Sequence, residues 1–427
     1  MKSTNLISIG KKLFMVAAAA FIMTSCSDDD SSPSALKISS AKSGSKNLYG
    51  TTSATDVPVD STISVTFARE IDAATATSST VMLKMGGTTV ASVITASGST
   101  IWINPNSALM TGTNYSIRFM GVKAKDGGAL SNTDSIAFKS YGAPSVTPPQ
   151  ATNLLAYWNF NNTATEANNS TDYTTAATVD LTYGKDRFGY DNGAASFNGT
   201  TSIIEVNNGD KLLTPSNALS FWVYTDSTGG HTQGHFPMGV GDLYGFFVEL
   251  GMPGALKQTA NFKKSDGSNS AQDMWYNGSG EDKDNGGWIG WDYRLNINAS
   301  APGAANGVGA LMLGKWTHVV FTYDAAAKIQ LLYLNGVLSQ RNNYANVPDA
   351  GGPNTFTGFS WNANAEVTNK LAFGFNHDRA STHWSTEPWG GYTFPGANHF
   401  KGRLDDVRFW KAALTPAEIT ALYNSEK

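Results

Sequence analysis

Two adjacent carboxylates, Asp405 and Asp406, sit in the middle of the run FKGRLDDVRFW close to the C-terminus. Val407 and Phe409 alternate with polar residues like one buried face of a strand, which places Asp405 on their side and Asp406 with Arg408 on the other. A buried carboxylate without a partner is costly, so Asp405 requires backbone N–H groups, a salt bridge or a cation, while Asp406 can pair with Arg408 or water.

Aromatic side chains supply a second kind of chemistry. Trp275, Tyr276, Trp288, Trp291 and Tyr293 fall in a stretch from about 225 to 310, and Trp384, Trp389 and Tyr392 in a shorter one from about 376 to 399. Their neighbours are mostly Gly, Asn, Asp and Ser, which cannot enclose so many rings in a core. Sugar rings present C–H faces that stack on aromatics and hydroxyls that need amide and carboxylate partners. Loops of this composition suit both demands, and some of the rings serve only to pin the loops. Trp275, Trp288, Trp291, Tyr293, Trp384, Trp389 and Tyr392 are therefore the expected ligand-binding residues.

Catalytic signals are weaker. Glycoside hydrolysis needs two carboxylates flanking the scissile bond. Glu281, Asp282 and Asp284 lie in the Gly-rich run GEDKDNGG, where solvation explains them, and Glu249 and Glu366 would pair only by accident of folding. His377, His383 and His399 share the second stretch with Asp378, but their spacing matches no specific metal-ligand pattern. His231 and His235 lie in a Gly-rich loop, and His318 lies in the strand-like run WTHVVF. No catalytic residue is assigned.

The elements that position these residues follow from the whole chain. It has 427 residues, enough for two or three domains, with 43 Gly, 11% aromatic and only 15% charged residues. That mix suits many short strands joined by Gly-rich turns. A formal net charge of −4 gives no reason to expect nucleic acid, and a single Cys excludes an internal disulfide.

Lys2, Lys11 and Lys12 precede an apolar run from Leu13 to Met23, the pattern of a secretory signal over residues 1–25. MTSC resembles a lipobox, which implies cleavage before Cys26 and acylation of its thiol; loss of the three lysines takes the formal charge from −4 to −7. The following CSDDDSS resembles the acidic export signal of surface lipoproteins of Bacteroidetes-type bacteria, which implies an outer-membrane protein facing the cell exterior. Residues 26–35, rich in Ser, Asp and Pro, form an acidic flexible tether, and solvation of that tether alone is the alternative reading of the three aspartates. No later apolar run is long enough to span a membrane.

STISVTFARE and STIWINPNSAL alternate apolar and polar residues, and GTNYSIRFMGVKAKDG ends in a turn signal, so residues 36–141 predict a small β-sandwich. VPVDSTISVTFAREID, LMTGTNYSIRFMGVKAKDGGALSN and IAFKS resemble bacterial Ig-like domains, which usually act as spacers. The paired prolines of GAPSVTPPQAT make residues 142–152 an extended, semi-rigid linker.

Residues 153–427 form the larger block. GKWTHVVFTYDAAAKIQLLYLNGVL predicts two apolar strands around a turn, with Asn335-Gly336 as a second turn. Thr415 and Glu418 have capping-box spacing, Pro416 suits a first helical position, and Ile419, Leu422 and Tyr423 give one apolar helix face. YWNF, ASFNG, LSFWVY, GKWTHVVFTYD, LYLNG and FKGRLDDVRFWKAALTPAEITALY resemble the laminin-G-like branch of the concanavalin A-like lectin/glucanase jelly rolls. The expected fold is thus all-β, an Ig-like sandwich followed by a concanavalin A-like jelly-roll sandwich.

That resemblance implies two curved antiparallel sheets with a face open to ligands, and the two aromatic stretches as insertions on its rim. It also implies a structural Ca²⁺ held by a carboxylate at the Asp405 strand with backbone carbonyls, the Asn159–Asn162 region being the place to look. A Glu-x-Asp-x-x-Glu strand, the best-known signature of the family's hydrolases, is absent. The expected function is non-catalytic capture of a polysaccharide or oligosaccharide by a lipid-anchored surface protein, beside an outer-membrane glycan import complex. A protein-binding or adhesive module, and a hydrolase with an unfamiliar carboxylate pair, are the alternatives.

Overall fold

The computed structural model describes residues 33–427 apart from 51, 132–133, 145, 169, 227–233, 252–254, 277–293, 297–310 and 348–349. The first sandwich pairs two five-stranded sheets. One runs Lys46–Asn47, Ile38–Ser43, Ile63–Phe67, Thr100–Pro105, Ser92–Ser97; the other runs Ala54–Val57, Ser135–Ser140, Asn114–Phe119, Val81–Met85, Thr88–Thr89. Alternation in ISVTF and SIAFKS sends Ile63, Val65, Phe67, Ile136 and Phe138 into one core. Pairing is antiparallel except where Ala54–Val57 lies parallel to Ser135–Ser140.

The second sandwich begins at Leu154–Trp158. Its larger sheet contains Lys401–Trp410 and Asn217–Thr225 side by side, followed by Trp316–Asp324, Ile329–Leu334 and Val337–Asn343. The facing sheet runs Thr175–Val179, Ile203–Val206, Leu371–Phe373, His235–Val240, Phe246–Gly251, Ala255–Lys264, Asn269–Tyr276. Between them Trp158, Phe221, Phe246, Phe373 and Phe409 form the core, with Trp158 edge-on to Phe373 at 5.1 Å.

Residues 235–276 differ from the rim insertion expected for the 225–310 stretch. Four consecutive strands there build the middle and one end of the facing sheet. Their alternation is masked in the sequence because Gln258 points inward, where Gln330 Nε2 donates to its Oε1 at 2.8 Å.

The hairpin between Ile329–Leu334 and Val337–Asn343 turns at Asn335 and Gly336, both with positive φ (50° and 74°). A side chain at Gly336 would also collide with Tyr423, whose Cδ1 would lie 2.7 Å from a Cβ there. Helix Pro416–Glu426 closes the chain with a complete capping box between Thr415 and Glu418. Ile419 and Leu422 bury against Val320, Tyr333 and Trp410 on the outer face of the larger sheet.

The linker docks on this same face. Val146 packs against that cluster, Trp410 Nε1 donates to Pro149 O at 2.9 Å, and Gln150 Nε2 donates to Glu418 at 2.9 Å. Among the described residues no helix is long and apolar enough to cross a membrane.

Candidate functional site

Asp405 and Asp406 both meet the demand for a partner through salt bridges. Trp222 pairs with Asp405 and Ser220 with Arg408, so the strand carries one extra residue between them, and Asp406 sits at φ 48°. This bulge shifts the alternation: Leu404, Val407 and Phe409 face the core. Asp405 therefore does not share the face of Val407 and Phe409. Asp405, Asp406 and Arg408 all belong to a buried ionic cluster that reaches the end of the C-terminal helix.

Arg187 is the hub of that cluster. Its Nη1 lies 2.6 Å from Asp405 Oδ2 and its Nη2 2.7 Å from Asp406 Oδ2, while its Nε donates to the Glu426 carbonyl at 2.6 Å. Arg408 pairs with Glu426 and Asp406, and Trp222 Nε1 donates to Glu426 Oε2 at 2.8 Å. Burial, together with the charge of Asp406, pushes the Asp405 carboxyl well above the usual range. Burial also opposes ionisation of Asp406, but the Arg408 and Arg187 guanidiniums outweigh it and hold that carboxyl below its usual value.

A Ca²⁺ at Asp405 would sit against the Arg187 guanidinium, which already occupies Asp405 Oδ2 and would repel a second cation there. The residues around Asp405 do not fit the ion. The 159–162 turn bonds to itself and to Asn192, through Asn161 N to Asn159 Oδ1 at 3.2 Å and Asn162 N to Asn192 O at 2.8 Å. Among the described residues, no three His, Cys, Asp or Glu gather as a metal site.

Two of the three histidines of the second stretch approach one carboxylate oxygen, Asp242 Oδ2: His383 Nδ1 at 3.0 Å and His377 Nε2 at 3.9 Å. His377 Nδ1 contacts Asp378 O at 2.8 Å, and His399 Nε2 contacts Tyr392 O at 2.8 Å.

The feature with the chemistry of a binding site lies on the opposite side, on the outer face of the facing sheet. Residues 376–399 lie across this face. Gly239 makes room for them: a Cβ there would come within 2.3 Å of Asn376 O. Ile203, Phe236, Phe247, Ala372 and Phe375 form an apolar patch under the crossing segment, against which Trp384, Trp389 and Tyr392 pack.

Where the segment stops, a cavity of about 370 Å³ opens, lined by Phe236, Leu243, Phe247, Glu249, Lys257, Thr259, Asp273, Trp384, Trp389 and Asn398. Strand register builds its floor in two rows: Phe247, Thr259 and Asp273 in one, and Glu249, Lys257 and Trp275 in the next. Within the rows, Lys257 Nζ lies 2.6 Å from Glu249 Oε2, and Thr259 Oγ1 donates to Asp273 Oδ1 at 2.6 Å. The Lys257 ammonium also lies over the rings of Phe247 (5.1 Å) and Trp275 (5.9 Å).

The wall is aromatic. Trp384 and Trp389 have ring centroids 4.6 Å apart; Trp384 stands edge-on to Phe247 at 6.0 Å and Trp389 tilts over Phe236 at 6.4 Å. An apolar wall beside a few convergent polar groups, at this volume, matches a small-ligand site of one or two sugar rings in size.

The structure thus brings Trp384 and Trp389 together. Trp275 lies in the neighbouring row, 48% exposed on an edge strand. Tyr392 is placed apart from the cavity: its hydroxyl donates to Thr201 O at 2.5 Å and its ring packs on Phe375 and His399. Trp288, Trp291, Tyr293 and Cys26 lie outside the described residues. Glu366 sits in an exposed turn and does not line the cavity. Sequence reasoning missed Phe247, Lys257, Thr259, Asp273 and Asn398. Alternation through FVEL, LKQTAN and QDMWY is the signal that places four of them on one face.

Residues 46–140 match the family model of the bacterial Ig-like domain, and residues 252–373 match that of the concanavalin A-like lectin/glucanases superfamily. The chain joins a bacterial Ig-like domain to a concanavalin A-like domain. Lys257, Thr259 and Asp273 fall inside the matched part of the concanavalin A-like domain; Trp384, Trp389 and Asn398 fall beyond it. The aromatic wall therefore comes from outside the matched segment.

No curated protein matches the sequence. Among solved structures, the chain is similar to a botulinum neurotoxin type G receptor binding domain, with 14% identity, a TM-score of 0.36, and coverage of 64% of this chain and 51% of that one. It is similar also to the binding domain of botulinum neurotoxin DC in complex with SialylT (13% identity, TM-score 0.39, 65% and 52%). The chain spans about half the length of these structures.

Proposed function

We propose that the protein is a non-catalytic carbohydrate-binding protein whose concanavalin A-like domain takes a glycan at the Trp384–Trp389 cavity. The observation that carries this reading is the pairing of those two rings with the polar side chains Glu249, Lys257, Thr259 and Asp273 in one open cavity. The rings supply faces for sugar C–H groups; the polar side chains supply partners for hydroxyls.

In this reading Cys26 carries the lipid, residues 26–35 are the tether, and the Ig-like domain is a spacer that holds the binding domain outward from the outer membrane. Capture beside a glycan import complex follows from that placement. A glycan array probed with the full mature chain tests the reading; binding to immobilised proteins instead of glycans would favour an adhesive module.

One observation favours hydrolysis: Glu249 and Asp273 border the same cavity. Each is already engaged, and the strand bearing Lys257 and Thr259 runs between them. Release of reducing ends from a bound glycan would establish that second reading.

A further inference from the structure

From the charges that line the cavity we infer that its ligand is an uncharged, hydroxyl-rich glycan, and that the site discriminates against the same backbone carrying uronate or sulfate groups. This rests on the carbohydrate reading above.

Among the described residues, three ionisable side chains line the cavity: Glu249, Lys257 and Asp273. The ammonium is spent. It is 2.6 Å from Glu249 and flanked by the π faces of Phe247 and Trp275, so an incoming anion would compete with a carboxylate already in place. Among the described residues, Asp273 accepts from the Thr259 hydroxyl, which brings no charge. The lining is thus one negative charge in excess. Behind the wall, His383 stacks on Trp384 at 4.4 Å and is tied to buried Asp242, so this element directs no free cation into the cavity.

The hydrogen-bonding inventory points the same way. Glu249 uses Oε2 on Lys257 and Asp273 uses Oδ1 on Thr259, leaving Oε1 and Oδ2 as acceptors. Asn398 Oδ1 is buried without a hydrogen-bond partner among the described residues. Three acceptors suit the O–H donors of neutral sugar hydroxyls, whereas a carboxylate or sulfate brings acceptors only. Like charge in a partly desolvated cavity converts that mismatch into discrimination.

The experiment compares matched probes by calorimetric titration of the full mature chain: oligosaccharides of glucose, mannose and galactose, and the same oligosaccharides oxidised at C6 to uronates. The expected result is that the oxidised form of a bound glycan is weaker by about tenfold or more at low ionic strength, with the gap shrinking as salt rises. Asp273→Asn and Glu249→Gln, each on the exposed face of a folded sheet, should narrow the gap by raising affinity for the uronate. Equal or tighter binding of the uronate would overturn the charge selection and leave carbohydrate binding standing. Binding of neither form would overturn the carbohydrate reading and this inference with it.

Discussion

His383 Nδ1 lies 3.0 Å from Oδ2 of Asp242, a fully buried residue in a left-handed backbone conformation. The imidazole held this way stacks at 4.4 Å on Trp384 and stands edge-on to Tyr244 at 5.2 Å. The pair acts as a positioning device for the cavity wall. His383→Ala should weaken glycan binding by about 1 kcal/mol, some fivefold, through loss of Trp384 order. His383→Phe should restore part of it, because the stacking face returns without the hydrogen bond. Titration calorimetry of both variants checks this; equal affinity of wild type and His383→Ala would remove the positioning role.

Tyr392 should behave in the opposite way. Its hydroxyl bonds to Thr201 O and its ring pins the crossing segment to Phe375. Tyr392→Phe should cost roughly 1 kcal/mol of stability in urea unfolding and leave glycan affinity unchanged. A loss of affinity without a loss of stability would move this ring into the binding surface.

The Arg187 cluster should dominate the stability of the concanavalin A-like domain. Arg187→Met leaves Asp405 and Asp406 buried without that guanidinium, which should cost about 3–5 kcal/mol. Chelation of divalent cations should leave the melting temperature where it was, because the cation at Asp405 is the chain's own arginine. A lower transition in chelator would return the calcium expectation to this strand.

His318 gives the protein an acid limit. Burial pulls its pKa down to about 3, with the Arg187 and Arg408 guanidiniums adding to the effect, so the folded protein keeps the ring neutral and hydrogen-bonded to Ser220 at 2.8 Å. The unfolded chain binds that proton from about pH 6.5 downward, and the folded one only near pH 3. Stability from His318 is therefore present above pH 6.5 and declines on acidification, by up to about 5 kcal/mol across the interval. Asp405 and Glu426, pushed upward by burial, oppose this by taking up protons in the folded state first. The comparison that isolates His318 is the slope of urea stability against pH in wild type and His318→Gln; identical slopes would contradict the assignment.

Much of this architecture was legible in the sequence because it rests on local chemistry. The Thr415–Glu418 capping box, the Asn335-Gly336 turn and the alternation of ISVTF each need only a few neighbouring residues. Asp406 pairs with Arg408 as expected, but Asp405 was placed on the wrong face because a single bulge residue, Asp406, reverses the alternation on which its assignment depended. Their partner Arg187 stands 218 positions away in sequence, beyond any spacing argument. The four strands at 235–276 were hidden for a related reason: inward Gln258 and outward Phe247 both violate the apolar-in, polar-out rule, one for a buried hydrogen bond and the other for the ligand cavity. Trp384 and Trp389 were found by composition alone, but which rings line the cavity depends on how residues 376–399 lie across the sheet.

The most direct measurement is the affinity of Trp389→Ala and Trp384→Ala for the strongest glycan of the array, with unchanged circular dichroism as the control for folding. Loss of a stacking ring at the centre of the site should cost about 2 kcal/mol, a factor of about 30 in Kd, in each variant. Folded variants that bind the glycan as tightly as the wild type would contradict the account.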